Sequence, residues 1–294
     1  MHTVTSKDGS RIAYDRHGSG PAVILVAGAL GYRKFKQTEQ LARLLAEHCT
    51  VINYDRRGRG DSTEVKPFAV EREIEDIEAL IEAEGGSASL WGWSSGGALA
   101  LRAAGASIGV ERVAVYEVPF MVTPDAKRPT PDYGERLDEL VAAGDRSGAV
   151  RHFMRNAIGI PAPFVSLMRL MPTWKGLKAT AHTLPYDWAA LGKHTMYGAP
   201  LDPEEWASVT VPTLVAYGAK SPAVLQQGSR ALADVLPNAE LRELEGISHN
   251  VKMKLLAPAL AEFFSRAAAS APAPQSSRVE DSVNSGQDAD TVRA

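Results

Sequence analysis

The sequence holds a single cysteine, Cys49, in 294 residues, which excludes an intrachain disulfide and fits a reducing compartment. It has no apolar run approaching the roughly 20 residues that would span a bilayer. Residues 1–9 lack the charged-then-apolar start of a secretory signal. A cytoplasmic location is therefore expected. Long Lys/Arg runs are missing too, and the formal net charge is −3. Neither nucleic acid nor a membrane is expected as a partner, which leaves a small-molecule substrate. Arg56, Arg57 and Arg59 do cluster, but Asp55 and Asp61 flank them, so they read as a salt-bridged turn. No two histidines sit at i, i+3 or i, i+4, and Cys49 has no partner. No metal site is expected, and no cofactor.

What is present is enough apolar residue, 45%, to bury a large core. Residues 3–6 and 11–17 read as a hairpin turning at Asp8-Gly9. Strand patterns follow at 22–26, 50–54, 87–92 and 111–116, separated by helical patterns at 37–48, 70–84 and 95–106. This alternation predicts βαβ units and an α/β fold with a mostly parallel sheet. The rhythm breaks over 119–206, a helical, Pro-interrupted stretch, and resumes with strands at 212–217 and 240–244 and a last helix near 251–264. Residues 1–118 and 207–266 are thus expected to form the core and 119–206 a helical cap. Residues 267–294, nearly free of large apolar side chains, are expected to be disordered.

Gly92-Trp93-Ser94-Ser95-Gly96 is a Gly-x-Ser-x-Gly between a strand pattern and an Ala-rich helix. A serine on such a sharp turn is held in strained geometry with its hydroxyl thrust out of the sheet, and the helix N-terminus favours negative charge beside it. Only Ser94 fits the frame, which makes it the candidate nucleophile. A serine hydroxyl needs a base. His249 follows the final strand and precedes the last helix, where the chain order serine, acid, histidine puts the base. His2, His17 and His48 lie at element ends, while His152, His182 and His194 fall in the expected cap, where packing or surface roles suit them.

Four pieces together make the chain resemble an α/β-hydrolase over roughly residues 8–265: the run 23–29, the turn 55–62, the elbow, and Gly246-Ile247-Ser248-His249. The resemblance implies an α/β-hydrolase fold and a serine hydrolase that cleaves an ester or lactone through an acyl-enzyme. It also implies an oxyanion hole from the backbone N–H groups of Ala29 and Ser95. Two departures stand out. Ala27-Gly28 replaces the usual His-Gly after the third strand, which leaves the backbone donors intact. Where such enzymes usually carry the triad acid, this chain reads Gly218-Ala219-Lys220-Ser221, and serine holds no charge.

Glu117 is the best replacement, ending an apolar strand before Val118-Pro119 and next to the elbow in chain order. Asp61, Asp125 and Ser221 are the weaker alternatives. Glu117-Val118-Pro119 and the Trp-Gly-x-Ser-Ser-Gly run over 91–96 are similar to the zearalenone-type lactonases, which take their acid from this strand. Trp93 and the cap residues Met154, Met168, Met171, Trp174 and Trp188 are expected to form an apolar substrate wall. Two other readings stay open: a non-hydrolytic protein of this fold (ligand binding or a cofactor-free rearrangement) and an aminopeptidase-type hydrolase.

Overall fold

The computed structural model describes residues 1–126, 128–195 and 198–266; the stretch expected to be disordered, 267–294, lies outside them. The hairpin opens the chain as β1 (His2–Thr5) and β2 (Arg11–His17). Next come β3 (Ala22–Val26), α1 (Lys36–Leu45), β4 (Thr50–Tyr54), α2 (Val70–Ala83), β5 (Ala88–Trp93), α3 (Ser95–Gly105) and β6 (Val110–Tyr116). Among the described residues six α-helices follow before the next strand: α4 (Tyr133–Ala142), α5 (Arg146–Asn156), α6 (Ala162–Met168), α7 (Thr173–Thr180), α8 (Leu184–Leu191) and α9 (Pro203–Trp206). The chain then adds β7 (Thr213–Gly218), α10 (Ala223–Val235), β8 (Ala239–Leu244) and α11 (Met253–Ser265). The β3 and β4 patterns match the observed strands end for end. Helix α1 stops three residues short of its pattern, with Ala46 closing the last turn.

One eight-stranded sheet runs in the order β1-β2-β4-β3-β5-β6-β7-β8. The first two pairings, β1 with β2 and β2 with β4, are antiparallel; the others are parallel. The fold is that of an α/β hydrolase.

Strand periodicity divides the core in two. Ile24 and Val26 of β3 and Val113 and Val115 of β6 pack beneath α2, α3 and α10. Their neighbours Val23, Leu25, Ala114 and Tyr116 turn to the opposite face, under α1 and α11. Both faces are covered, so these strands read as continuous apolar runs. A third cluster, with Tyr133, Leu137, Val150, Val165 and Trp174, lies among α4–α8 and includes Leu30 from the loop after β3. That loop therefore packs into the helical layer.

The arginine turn is ion-paired, as expected, but not to its sequence neighbours. Asp55 and Asp61 are both taken by Arg33. Arg57 instead pairs with Asp76 and Asp8, each at 2.7 Å. Arg56 and Arg59 reach beneath the site described next.

Candidate active site

The elbow is set by close packing. Ser94 joins β5 to α3 with φ 56°, and its N–H donates to the Tyr116 carbonyl at 3.0 Å. A Cβ on Gly96 would come within 2.3 Å of the Val26 carbonyl oxygen, and one on Gly28 within 2.7 Å of that of Trp93. Only hydrogen fits at those two positions, so the chain after β3 lies directly against the elbow. Among the described residues four non-glycine residues have positive φ: Leu30, Ser94, Ser107 and Glu117. Three of them, all but Ser107, belong to the segments that meet at the elbow, and such strain persists only where surrounding structure enforces it.

Glu117 stands one residue past β6 with φ 48°, and its side chain is 0% exposed. Its Oε1 accepts from the Gly218 N–H at 2.8 Å, and its Oε2 meets His249 Nδ1 at 2.7 Å. Burial pushes the Glu117 carboxyl up, but His249, the Ser221 hydroxyl and the Gly218 amide outweigh it and hold the pKa below the ordinary glutamate value. Ser221, in the turn where the acid was missed, is buried beside this pair, and its hydroxyl makes no hydrogen bond of good geometry. Asp61 lies with Arg33 and Lys34 instead.

Ser94 and His249 line one cavity of about 370 Å³ between the sheet edge and α5 and α8. Ala29 and Ser95 line it as well. Neither of their N–H groups donates to another group among the described residues. Most of the wall is apolar, with Pro119, Met121, Tyr133, Phe153, Ile158 and Leu225 among its members.

Of the six residues expected to contact substrate, only Trp188 faces this cavity, with its ring 4.6 Å from that of Tyr133. Trp93 turns to the opposite side of the elbow and packs with the cluster under α1 and α11, its ring 6.1 Å from His249. Met154 and Met168 pack against the cap's own core. Trp174 is buried there, donating to Ser147 Oγ at 3.3 Å, and Met171 is exposed. Met154, Met168 and Trp174 thus fill the interior of the helical layer. The lining that sequence reasoning missed was visible as a helical stripe: Leu184, Trp188 and Leu191 at i, i+4, i+7 on α8, with Asp187 among them.

Asp187 is the unforeseen polar group, a carboxylate 3% exposed on the cavity wall. It accepts from Arg56 Nη1 at 2.5 Å, Arg59 Nη2 at 2.7 Å and Ser95 Oγ at 2.9 Å. Arg56 also forks onto Glu73, at 2.7 and 2.6 Å, so two buried cations face two buried anions. The same guanidinium groups reach the loop after β3: Arg56 donates to the Ala27 carbonyl at 3.1 Å, and Arg59 to those of Gly28 at 2.7 Å and Gly31 at 3.0 Å. With the carbonyls on either side of Ala29 held this way, its N–H is left free. Among the described residues no group of His, Cys, Asp and Glu is arranged to hold a metal. No helix there is long and apolar enough to cross a membrane.

A strand-to-helix serine elbow, a histidine after the last strand and a parallel sheet beneath helices define the α/β-hydrolase class. The chain belongs to the alpha/beta hydrolase family, whose model matches residues 17–263. It is similar to the crystal structure of an alpha/beta hydrolase from Sphaerobacter thermophilus, with 47% identity, TM-score 0.81, and 90% of this chain and 100% of that one covered. A thermophilic esterase from Thermogutta terrifontis shares the fold at 20% identity and TM-score 0.62, covering 89% of this chain and 97% of its own. Among curated proteins, Polyketide synthase ThaQ of Burkholderia thailandensis is 28% identical over 268 residues, 83% of this chain. The match spans only 12% of that much longer protein.

Proposed function

We propose that the protein is a serine hydrolase that cleaves a small, uncharged, largely apolar ester or lactone, with Ser94 as nucleophile, His249 as base and Glu117 as the orienting acid. The observation that carries this reading is the 2.7 Å contact between Glu117 Oε2 and His249 Nδ1, with His249 and Ser94 lining one apolar cavity. A carboxylate on Nδ1 fixes the tautomer that leaves Nε2 free to take a proton, and it stabilises the imidazolium that then forms.

In the first half-reaction Ser94 Oγ bonds to the carbonyl carbon while its proton passes to His249 Nε2. The carbonyl electrons move onto oxygen, where the N–H groups of Ala29 and Ser95 hold the charge. Collapse breaks the bond to the alkoxy oxygen, which leaves with the proton from His249. Water, deprotonated by the same ring, then attacks the acyl-enzyme and frees the acid. Asp187 supports the hole from both sides, by fixing Ser95 directly and by neutralising the arginines that hold the chain around Ala29.

The cavity wall supports an uncharged substrate. Among the described residues it carries no Lys or Arg to receive a substrate carboxylate. The Asp187 carboxylate on that wall has its oxygens engaged by Arg56, Arg59 and Ser95, so it offers no free anchor for an aminopeptidase's substrate amine. The test is a panel of p-nitrophenyl esters, anionic hemiesters and lactones on wild type and Ser94→Ala. Neutral short and medium esters should turn over and hemiesters should not. Ser94→Ala should lose on the order of 10⁶ in kcat. Absence of Ser94-dependent turnover on every member would discard the reading in favour of a non-hydrolytic role.

A further inference from the structure

The outer surface of the helical layer differs in chemistry from the rest of the chain. Residues 146–186 carry Arg146, Arg151, Arg155, Arg169, Lys175 and Lys178 and no Asp or Glu, in a chain of net charge −3. Arg155, Arg169, Lys175 and Lys178 are exposed and make no ion pair among the described residues. The same stretch holds Ile158, Phe164, Leu167, Leu170 and Met171, five of the nine large apolar side chains exposed among the described residues. Leu170 is 81% exposed, and Phe164 and Leu167 are 62% each.

Helix α6 explains the display. Val165 and Met168 turn inward to the cap cluster, so Phe164 and Leu167 are left outward, with Leu170 and Met171 in the turn that follows. Apolar groups gathered this way mark an interaction site. Ile158 belongs both to this surface and to the cavity lining, so the patch borders the cavity mouth.

Charge and shape choose the occupant. A second copy paired about a two-fold axis would bring the unpaired cations face to face. A helix from an acidic protein would need a groove, whereas Phe164, Leu167 and Leu170 are among the most exposed apolar side chains of the described residues. Exposed apolar side chains interspersed along the chain with unpaired cations suit a fluid anionic surface, where acyl chains accept the one and headgroups the other. We propose that this face docks on an anionic lipid surface, with Phe164, Leu167 and Leu170 entering the acyl region. Docking sets the cavity mouth against lipid-dissolved substrate, a consequence that rests on the ester-hydrolase reading, whereas docking itself does not. The expectation that excluded a membrane relied on the lack of a contiguous basic run.

Sedimentation of the full chain with vesicles tests this, using phosphatidylcholine alone or in equal parts with phosphatidylglycerol, at low and high salt. Wild type and Ser94→Ala should both bind the anionic vesicles, less so at high salt. Arg169→Gln and Lys175→Gln should each weaken partitioning by about fivefold. The double variant Leu167→Ser/Leu170→Ser should weaken it by about tenfold or more. All of these sites are exposed, so turnover of a water-soluble short ester, which reports on folding, should stay at the wild-type level. Failure of wild type to bind anionic vesicles, equal binding by these variants, or a dimer that shields Leu170 would overturn the proposal. Vesicle binding by a protein inactive on every ester would instead leave docking in place and remove the ester reading.

Discussion

The elbow and the cap solve opposite problems. At the elbow several polar groups are held from behind: Glu117 by Gly218 and His249, Ser95 by Asp187, the loop carbonyls by Arg56 and Arg59. The cap spends most of its large side chains on its own interior, offers the cavity parts of α5 and α8, and leaves other apolar groups to solvent. The contrast teaches that the sheet edge fixes its groups through buried polar contacts, while the helical layer supplies apolar wall and surface. Substitutions in the two regions should therefore fail differently.

The largest expected effect below the nucleophile is that of Glu117→Gln. Loss of the orienting carboxylate should lower kcat by about 10⁴ with little change in KM, measured on the best neutral ester. Ser221→Ala should change it little, and the reverse ranking would move the acid back to the usual turn. Because the Glu117 pKa is depressed by its partners, the stability it contributes is fully present above the ordinary glutamate value and is lost as pH falls through the lower folded value. Urea titrations should thus find the gap between wild type and Glu117→Gln narrowing below that range.

Asp187→Asn comes next and joins the two regions, since the residue sits on a cap helix but serves the core. Leaving Arg56 and Arg59 with one anion fewer should cost about 3–5 kcal/mol of stability. In the variant that remains folded, kcat should fall more than KM rises, because the hole and not the apolar wall is disturbed. A fall confined to KM would detach Asp187 from the oxyanion loop. Trp188→Ala should act on selection: the preferred acyl or alcohol chain should lengthen across an ester series while the Ser94 chemistry persists. Smallest of all, Met171→Ala should shift stability by no more than about 0.5 kcal/mol and leave the ester preference untouched, as befits an exposed side chain remote from the cavity.

The sheet was legible in the sequence because strand and helix periods act within a few residues. The runs at 22–26 and 50–54 carry their own boundaries, and the glycines of the elbow mark where chains must touch. Ser94, His249 and Glu117 were legible as types in a fixed order, and Glu117 in particular as a carboxylate that an apolar strand had no other reason to hold. The cap lining was not, because a buried Met or Trp in a helix looks the same whether it faces a cavity or a neighbouring helix. Met154, Met168 and Trp174 face helices; Trp188 faces the cavity.

The sequence by itself determined the sheet, the elbow and the order of the three candidate residues, since each is encoded by neighbours along the chain. Only the tertiary structure decided which acids serve the arginine turn and which side of the cap faces the cavity. Arg56 and Asp187 are 131 residues apart, as Glu117 and His249 are 132. Partnerships at that separation leave no periodic trace. Packing alone selects among the many charges that could have met.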